Sequence, residues 1–586
     1  MEPESELMLS PLPENQALRF QNLEYSTITQ EDPANYSPKQ FTSKIRALGT
    51  SAPCQVLICV TLYNESSYEL QSTMSGILKN VENMLQNNLC DGPVSVVIIQ
   101  DGLEKLHPSM KQFGKSMSIF DLDQIQDSPS ATLHTFFTEF VFAKNEKDTY
   151  PTINLITGIK HSNKGKINSH RWFFKCFATH ISPKYCILLD CGTIPSDFAI
   201  YKIVEAMENN QQLGGACGNI VPEDPKICHP IEISQDIEYR VSHFMDKCLE
   251  GILGFVNVLP GAFCGYRWEA IKGDPLDKHY FYAFREDSEI NCWKANMLLA
   301  EDQLLSVSTV LNKDSKYTLS YIEDAKVTTD IPDTYPSIMQ QRRRWINGSR
   351  FAFLRTLLLF GNLPKTKHSL CRKFLFVLYI FYQSLNVVVG ALAPAIYFLY
   401  IFYIFLLVFG TEDYYGLVTW SAGGLYGCCM VSLVVVSLVP KSVHRFKGTY
   451  MTCAGLLGFL TVSSFCAVSY EILRSEITLV VGFYIGVLFF GIFVCAAVHG
   501  QLKEYSRGMF QYLYMLPSFL SIYLIYAFCN LHDVTWGIRN DQNGKCYAAQ
   551  NVKGFQEKEK SFKTFRLFWL VGWIALSLAF VALMLV

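Results

Sequence analysis

The chain has 586 residues, half of them hydrophobic and 17% charged, with a net charge of −2 and an isoelectric point near 6.6. A face that grips nucleic acid normally raises the isoelectric point well above that value, so nucleic acid is set aside as a partner. The 19 cysteines are scattered without paired spacing, which speaks against a zinc motif and against a secreted disulfide framework, and for buried free thiols.

Residues 1–50 are rich in Pro, Glu, Gln and Ser with little apolar periodicity, and read as a flexible tail. Three apolar runs follow, each ending in polar residues: Cys54 to Leu62 before Tyr63-Asn64-Glu65, Val94 to Ile99 before Asp101-Gly102, and Tyr185 to Leu189 before Asp190. Such runs predict strands of an open α/β sheet, whose ligands bind beyond the carboxyl ends of parallel strands. Thr61, Glu65, Asp101 and Asp190 would then converge on one crevice, although a turn or helix-cap carboxylate is the commoner role for any one of them alone. Asp190, followed by Cys191 and Gly192, is suited to holding Mg²⁺ or Mn²⁺ against phosphates, because magnesium needs only one or two protein carboxylates. Asn163-Lys164-Gly165-Lys166, between the second and third runs, sets two lysines about a glycine that lets backbone approach a phosphate; a solvated turn is the alternative.

Leu259-Pro260-Gly261-Ala262-Phe263 is turn-forming, and Trp268 beyond it offers either a face for a pyranose ring or a core side chain. Glu301-Asp302 follows an apolar stretch. Asp302 is the candidate base for lifting a proton from an attacking hydroxyl, against the alternative of an acidic pair favoured by a helix dipole. In Gln341-Arg342-Arg343-Arg344-Trp345, three fork-shaped guanidinium groups suit diphosphate oxygens, while a basic segment with Trp before a membrane span also suits an interfacial anchor.

The composition changes after residue 350. Residues 51–350 have the mixed character of a soluble head, 351–373 read as an interfacial helix or linker, and 374–586 are mostly long apolar runs. Six spans are expected: Phe374 to Phe409, Leu417 to Val439, Thr449 to Tyr470, Ile477 to His499, Met509 to Asn530 and Leu567 to Val586. Pro394 and Pro517 lie inside the first and fifth, where kinks are expected. With no apolar run near Met1, the head is expected in the cytosol, and the basic Lys441 to Lys447 and Lys503 to Arg507 loops then fall on the cytosolic side. The same count sends the equally basic Asp533 to Arg566 loop to the far side, against the positive-inside rule.

In combination and order, these motifs resemble the chitin synthases, processive inverting glycosyltransferases of family 2 with a GT-A type head. The resemblance runs through VTLYNES at Val60 to Ser66, QDG at Gln100 to Gly102, NKGKINSHRWFF at Asn163 to Phe174, LLDCGT at Leu188 to Thr193 and GGACGNI at Gly214 to Ile220. It continues through QDIEYRVSHFMDK at Gln235 to Lys247, LPGAFCGYRWEAI at Leu259 to Ile271, AEDQ at Ala300 to Gln303, QRRRW, and TWGIRN at Thr535 to Asn540 in the 531–566 loop. The fold implied is an α/β GT-A glycosyltransferase domain with a multi-pass helical membrane domain.

The resemblance implies UDP-N-acetylglucosamine and a growing chitin chain as partners, Mg²⁺ or Mn²⁺ as cofactor, contact with membrane lipid, a plasma-membrane location with the head in the cytosol, and a homodimer. Thr61, Glu65, Asp101, Lys164, Asp190, Gly192, Cys217, Asn219, Glu301, Gln341 and Arg344 would bind the donor, with Asp190 at the metal and Asp302 as base. Pro260, Gly261, Ala262, Trp268, Trp345 and Trp536 would serve the acceptor and channel. Cys191, Asn219, Gln303 and the TWGIRN wording depart from the usual family pattern, and Gly192 stands where many related synthases carry a second Asp.

Overall fold

The computed structural model describes residues 23–36, 54–90, 93–125, 131–141, 152–285, 290–410, 413–472, 490–535 and 555–586. In chain order its strands are β1 (Glu24–Ile28), β2 (Val56–Leu62), β3 (Val94–Gln100), β4 (Leu133–Val141), β5 (Thr152–Lys160), β6 (Tyr185–Asp190), β7 (Ile194–Pro195), β8 (Leu213–Pro222), β9 (Phe263–Arg267) and β10 (Thr318–Thr329). They form one mixed sheet in the order β1-β4-β5-β3-β2-β6-β9-β8-β10-β7. The central four, β5-β3-β2-β6, are parallel, and β9 enters antiparallel between β6 and β8.

The apolar runs alternate as a two-sided sheet requires. Leu57, Cys59, Val97 and Ile99 join the core on one face, while Val56, Ile58, Val60, Val96 and Ile98 join that on the other. The chain therefore has the expected α/β architecture, and β2, between β3 and β6, marks the point where successive connections diverge and open a crevice. One expectation changes at the edge. Residues 24–28, within the stretch read as a flexible tail, pair antiparallel with β4, and Tyr25 hydrogen-bonds the buried His134 at 3.0 Å. Alternating Tyr25, Thr27 and polar neighbours make a half-buried edge strand, which compositional averaging over 50 residues conceals.

The QRRRW motif lies inside a continuous helix, Tyr335–Phe360, so the expected boundary at residue 350 falls within one element. Among the described residues, five helices are long and apolar enough to cross a membrane: Leu370–Ala391, Gly416–Ser437, Lys447–Ile472, Leu502–Cys529 and Lys558–Leu585. A shorter apolar helix, Ala393–Phe409, follows the first of them. The expected span from Phe374 to Phe409 is thus two helices joined at Leu392, whose φ of −90° and ψ of 3° bend the chain without reversing it. Pro394 sits in the first turn of the second helix, where its missing N–H costs no intrahelical bond, and side chains reach carbonyls at the junction: Trp573 Nε1 donates to Ala391 at 2.7 Å and the Tyr426 hydroxyl to Pro394 at 2.8 Å. At Pro517 the helix widens to a π-turn over Ser518–Ile522. Of the expected span Ile477 to His499, residues 477–489 lie outside those described, and 490–498 are helical.

The segment Leu502–Cys529 touches the head at its start, middle and end. Arg240 donates to Gln501 at 3.2 Å, Tyr335 to Ser518 at 3.1 Å, Asn347 to the Ala527 carbonyl at 2.9 Å, and Arg343 pairs with Asp533 at 2.6 Å. The expected span from Met509 to Asn530 falls on this segment, which is among the helices long and apolar enough to cross a membrane.

Candidate active site

Strand register brings the first predicted residues together. Thr61 on β2 stands beside Asp190 on β6, and its hydroxyl donates to Asp190 Oδ1 at 2.6 Å. Lys166 Nζ lies 2.5 Å from Asp190 Oδ1 and 2.6 Å from Oδ2, and also reaches the Gly261 carbonyl at 3.5 Å. Burial alone would lower the Lys166 pKa, but the Asp190 carboxylate holds it above the ordinary lysine range. The lysine that meets Asp190 is therefore Lys166. Lys164, expected there, contributes its backbone N–H to Asp101 Oδ1 at 2.8 Å.

Asp101 is buried and ion-paired with the buried Lys160 at 2.7 Å, so it fastens the 163–165 turn to the end of β3. Gly102 beside it has a φ of +95°, and a Cβ there would stand 2.8 Å from the Asn163 backbone nitrogen, which only glycine avoids. Glu65 folds back on its own turn, accepting from the Tyr63 N–H at 2.6 Å. Burial is the main cause that pushes its carboxyl up to about 7. Gly192, at a φ of +86°, donates its N–H to Thr73 at 3.0 Å.

Glu301 and Asp302 occupy the first turn of the helix Glu301–Leu311, as the dipole favours. Asp302 Oδ1 accepts from the Gln303 N–H at 2.9 Å and Oδ2 from the Gly261 N–H at 3.4 Å. Gly261 thus joins the two halves of the crevice: its N–H faces Asp302 and its carbonyl faces Lys166. Its neighbours hold the turn, since Asp190 N–H donates to the Ala262 carbonyl and Phe263 N–H to that of Pro260. Burial, then the adjacent Asp302 charge, pushes Glu301 up to about 8. Burial also raises Asp302, opposed by the backbone N–H of Gln303, by Lys166, by the Gly261 N–H and by Arg344.

The three arginines of QRRRW separate along their helix. Arg342 pairs with Glu238 at 2.5 Å and lies over the Trp345 ring at 4.4 Å. Arg343 is buried and binds Asp533 and Thr535, donating to the Thr535 carbonyl at 2.8 Å. Arg344 alone of the three carries the fields of Glu301, Asp302 and Asp190, which oppose the lowering of its pKa by burial. The expectation that all three face one diphosphate is corrected: 100° per residue turns neighbouring side chains to different faces. Gln341, one turn before Arg344, has a buried carbonyl oxygen with no hydrogen-bond partner among the described residues. Trp345 is 36% exposed and 6.3 Å from the Tyr239 ring centre.

Other predicted residues lie deeper. Cys217 and Asn219 on β8 are buried, and burial drives the Cys217 thiol up to about 11. Trp268 is buried and stacked on Phe174, which is the core role weighed for it and not an exposed sugar platform. Trp536 lies outside the described residues. Residues that sequence reasoning passed over are Lys166, although it stood in the NKGK string, and Glu238 with Tyr239, which hold the Arg342-Trp345 side of the helix.

Comparison with known proteins gives the class. The family of chitin synthase-like glycosyltransferase domains matches residues 56–360, and the chain belongs to it. Relatives include chitin synthase 1 of Phytophthora sojae, 30% identical over 539 residues that cover 86% of this chain and 59% of that protein. Chitin synthase C of Aspergillus oryzae is 28% identical, with 91% and 63% covered, and chitin synthase 1 of Saccharomyces cerevisiae is 30% identical, with 89% and 50% covered. The chain spans about half to two thirds of the length of these relatives. Among solved structures, the mannosyltransferase PcManGT of Pyrobaculum calidifontis, in complex with GDP-Man and Mn²⁺, is 9% identical with a TM-score of 0.32, covering 81% of this chain and 94% of that one.

Proposed function

We propose that this chain is a chitin synthase, which transfers N-acetylglucosamine from UDP-N-acetylglucosamine to the non-reducing end of a growing β-1,4-linked polymer, with inversion, and passes the product to the membrane segments for export. The observation that carries this reading is the meeting of Glu301-Asp302, Arg344 and the Lys166–Asp190 pair around Gly261 at the carboxyl ends of β2 and β6.

In this reading Asp302 removes the proton from the acceptor 4-hydroxyl as its oxygen bonds to C1 of the donor. The bond from C1 to the diphosphate oxygen breaks, and its electron pair leaves with UDP. Two backbone N–H groups aim the Asp302 carboxylate, while burial raises its basicity, as a general base requires. Glu301, pushed up to about 8 by burial and by the adjacent Asp302, keeps its proton at neutral pH. Arg344 and Lys166 supply fixed positive charge for the leaving diphosphate, and Trp345 an aromatic face for the acceptor sugar.

A divalent cation fits the donor set. Asp190 is a carboxylate already drawn to a cation, its side chain is 33% exposed, and magnesium takes one or two carboxylates together with substrate phosphates. When bound, Mg²⁺ or Mn²⁺ would neutralise charge on the diphosphate, with Asp190 as its protein ligand. The head is assigned to the cytosol of a plasma-membrane protein, where nucleotide sugars are available.

The test is UDP release by the purified, detergent-solubilised protein with Mg²⁺ or Mn²⁺ and each UDP-sugar in turn, followed by chitinase. Release with UDP-N-acetylglucosamine alone, yielding an insoluble product that chitinase degrades, is expected. A requirement for UDP-glucuronate as a second donor would move the chain to hyaluronan-type synthesis, and silence with every donor would sink the reading.

A further inference from the structure

Away from the crevice, three side chains of different chemistry meet where the head contacts the helix of residues 490–498. Cys248 opens the helix Cys248–Leu253, Glu323 lies on β10, and His499 directly follows the helical residues 490–498. One donor atom from each lies within 4.8 Å of the other two, and His499 Nδ1 is 2.7 Å from Glu323 Oε1. Cys495 stands one turn before His499, on the same helix face, and is near enough to raise the pKa of the Cys248 thiol together with Glu323. The Phe244 ring stacks on His499 at 5.8 Å and forms an apolar wall. The following turn is held in place, with Gln501 accepting from Arg240 at 3.2 Å.

A simple ion pair accounts for Glu323 and His499 but gives no reason for a thiol at the same point. Magnesium and calcium take oxygen ligands, whereas sulfur, imidazole nitrogen and carboxylate oxygen together are the donor set of zinc. Zinc bonds of about 2.0–2.3 Å in a tetrahedron set neighbouring donors about 3–4 Å apart, so small side-chain movements would suffice here. No zinc spacing is readable in the sequence because the donors come from positions 248, 323 and 495–499 on separate elements.

We propose that Cys248, Glu323 and His499, with Cys495 as fourth donor, bind one zinc ion that clamps the sugar-transfer head to the helix that His499 directly follows. The clamp stands apart from the catalytic reading, and its test measures metal and not turnover.

Full-length protein in detergent is stripped with a chelator, given one equivalent of Zn²⁺, desalted and assayed for metal. Retention of about one zinc per chain is expected, falling about tenfold or more in C248S and H499A. Equal retention by the wild type and the C248S/H499A double variant, or no retention by the wild type, overturns the proposal. If the variants do not fold, alkylation of the wild type decides, read at Cys248 by mass spectrometry. One equivalent of Zn²⁺ should slow it about tenfold while Mg²⁺ leaves it unchanged. Unaltered alkylation with zinc overturns the clamp.

Discussion

At the scale of single residues, the acidic pair carries two sharp expectations. Asp302→Asn keeps the shape of the side chain and its place beneath the Gly261 N–H but removes the base. UDP release should fall about 10²–10⁴-fold, with donor affinity, measured by calorimetry, little changed; near-normal polymerisation by this variant would falsify the assignment. Glu301 concerns stability. Its carboxyl sits at about 8, against about 4.5 for an ordinary glutamate. The unfolded chain therefore releases this proton first, and stability falls as pH rises through the interval between those values. Glu301→Gln should flatten that fall, so that its thermal midpoint gains on wild type more at about pH 8.5 than at about pH 5. A parallel pair of midpoint curves would show that Glu301 does not titrate in this interval.

At the scale of elements, the helix Tyr335–Phe360 does two jobs with one motif. Arg344 carries the fields of the acidic pair and Asp190, while Arg342 pairs with Glu238 and lies over Trp345, and Arg343 pairs with Asp533. Arg343→Ala would leave Asp533 without its partner and free the Thr535 end of the basic loop. Because Asp533 is partly exposed, the cost should sit at the low end for a broken buried pair, about 3 kcal/mol by unfolding in detergent, with donor affinity kept. A loss of donor affinity without loss of stability would place Arg343 in the crevice after all.

At the scale of the whole molecule, hydrogen bonds run from Gln303, beside the acidic pair, to the helix Leu370–Ala391, which is long and apolar enough to cross a membrane. Gln303 donates to Asn257 at 3.1 Å, Asn257 N–H to Glu250 at 3.3 Å, Glu250 accepts from the Tyr379 hydroxyl, and Gln383 donates to Tyr379 at 2.8 Å. Gln383, on the helix Leu370–Ala391, closes this chain of contacts. The course of Leu502–Cys529 along the head also has a topological consequence. A tag inserted in residues 536–554 should be digested from the same face of sealed vesicles as a tag at the amino terminus. Protection of one tag when the other is cleaved would show a crossing between Met509 and Asn530.

Much of this protein was legible in order along the chain. The alternating core of β2, β3 and β6, the carboxylate at the end of β6, the acidic pair at a helix start and the division into head and membrane segments all follow from local periodicity and residue chemistry, which neighbouring positions carry. Partnership was not legible in that way. That Lys166 and not Lys164 meets Asp190, that the three adjacent arginines divide among Glu238, Asp533 and the field of the acidic pair, and that Trp268 is core were decided by contacts between distant positions. Each turns on which face an element presents after packing, and a one-dimensional pattern states how apolar a segment is without saying what lies against it.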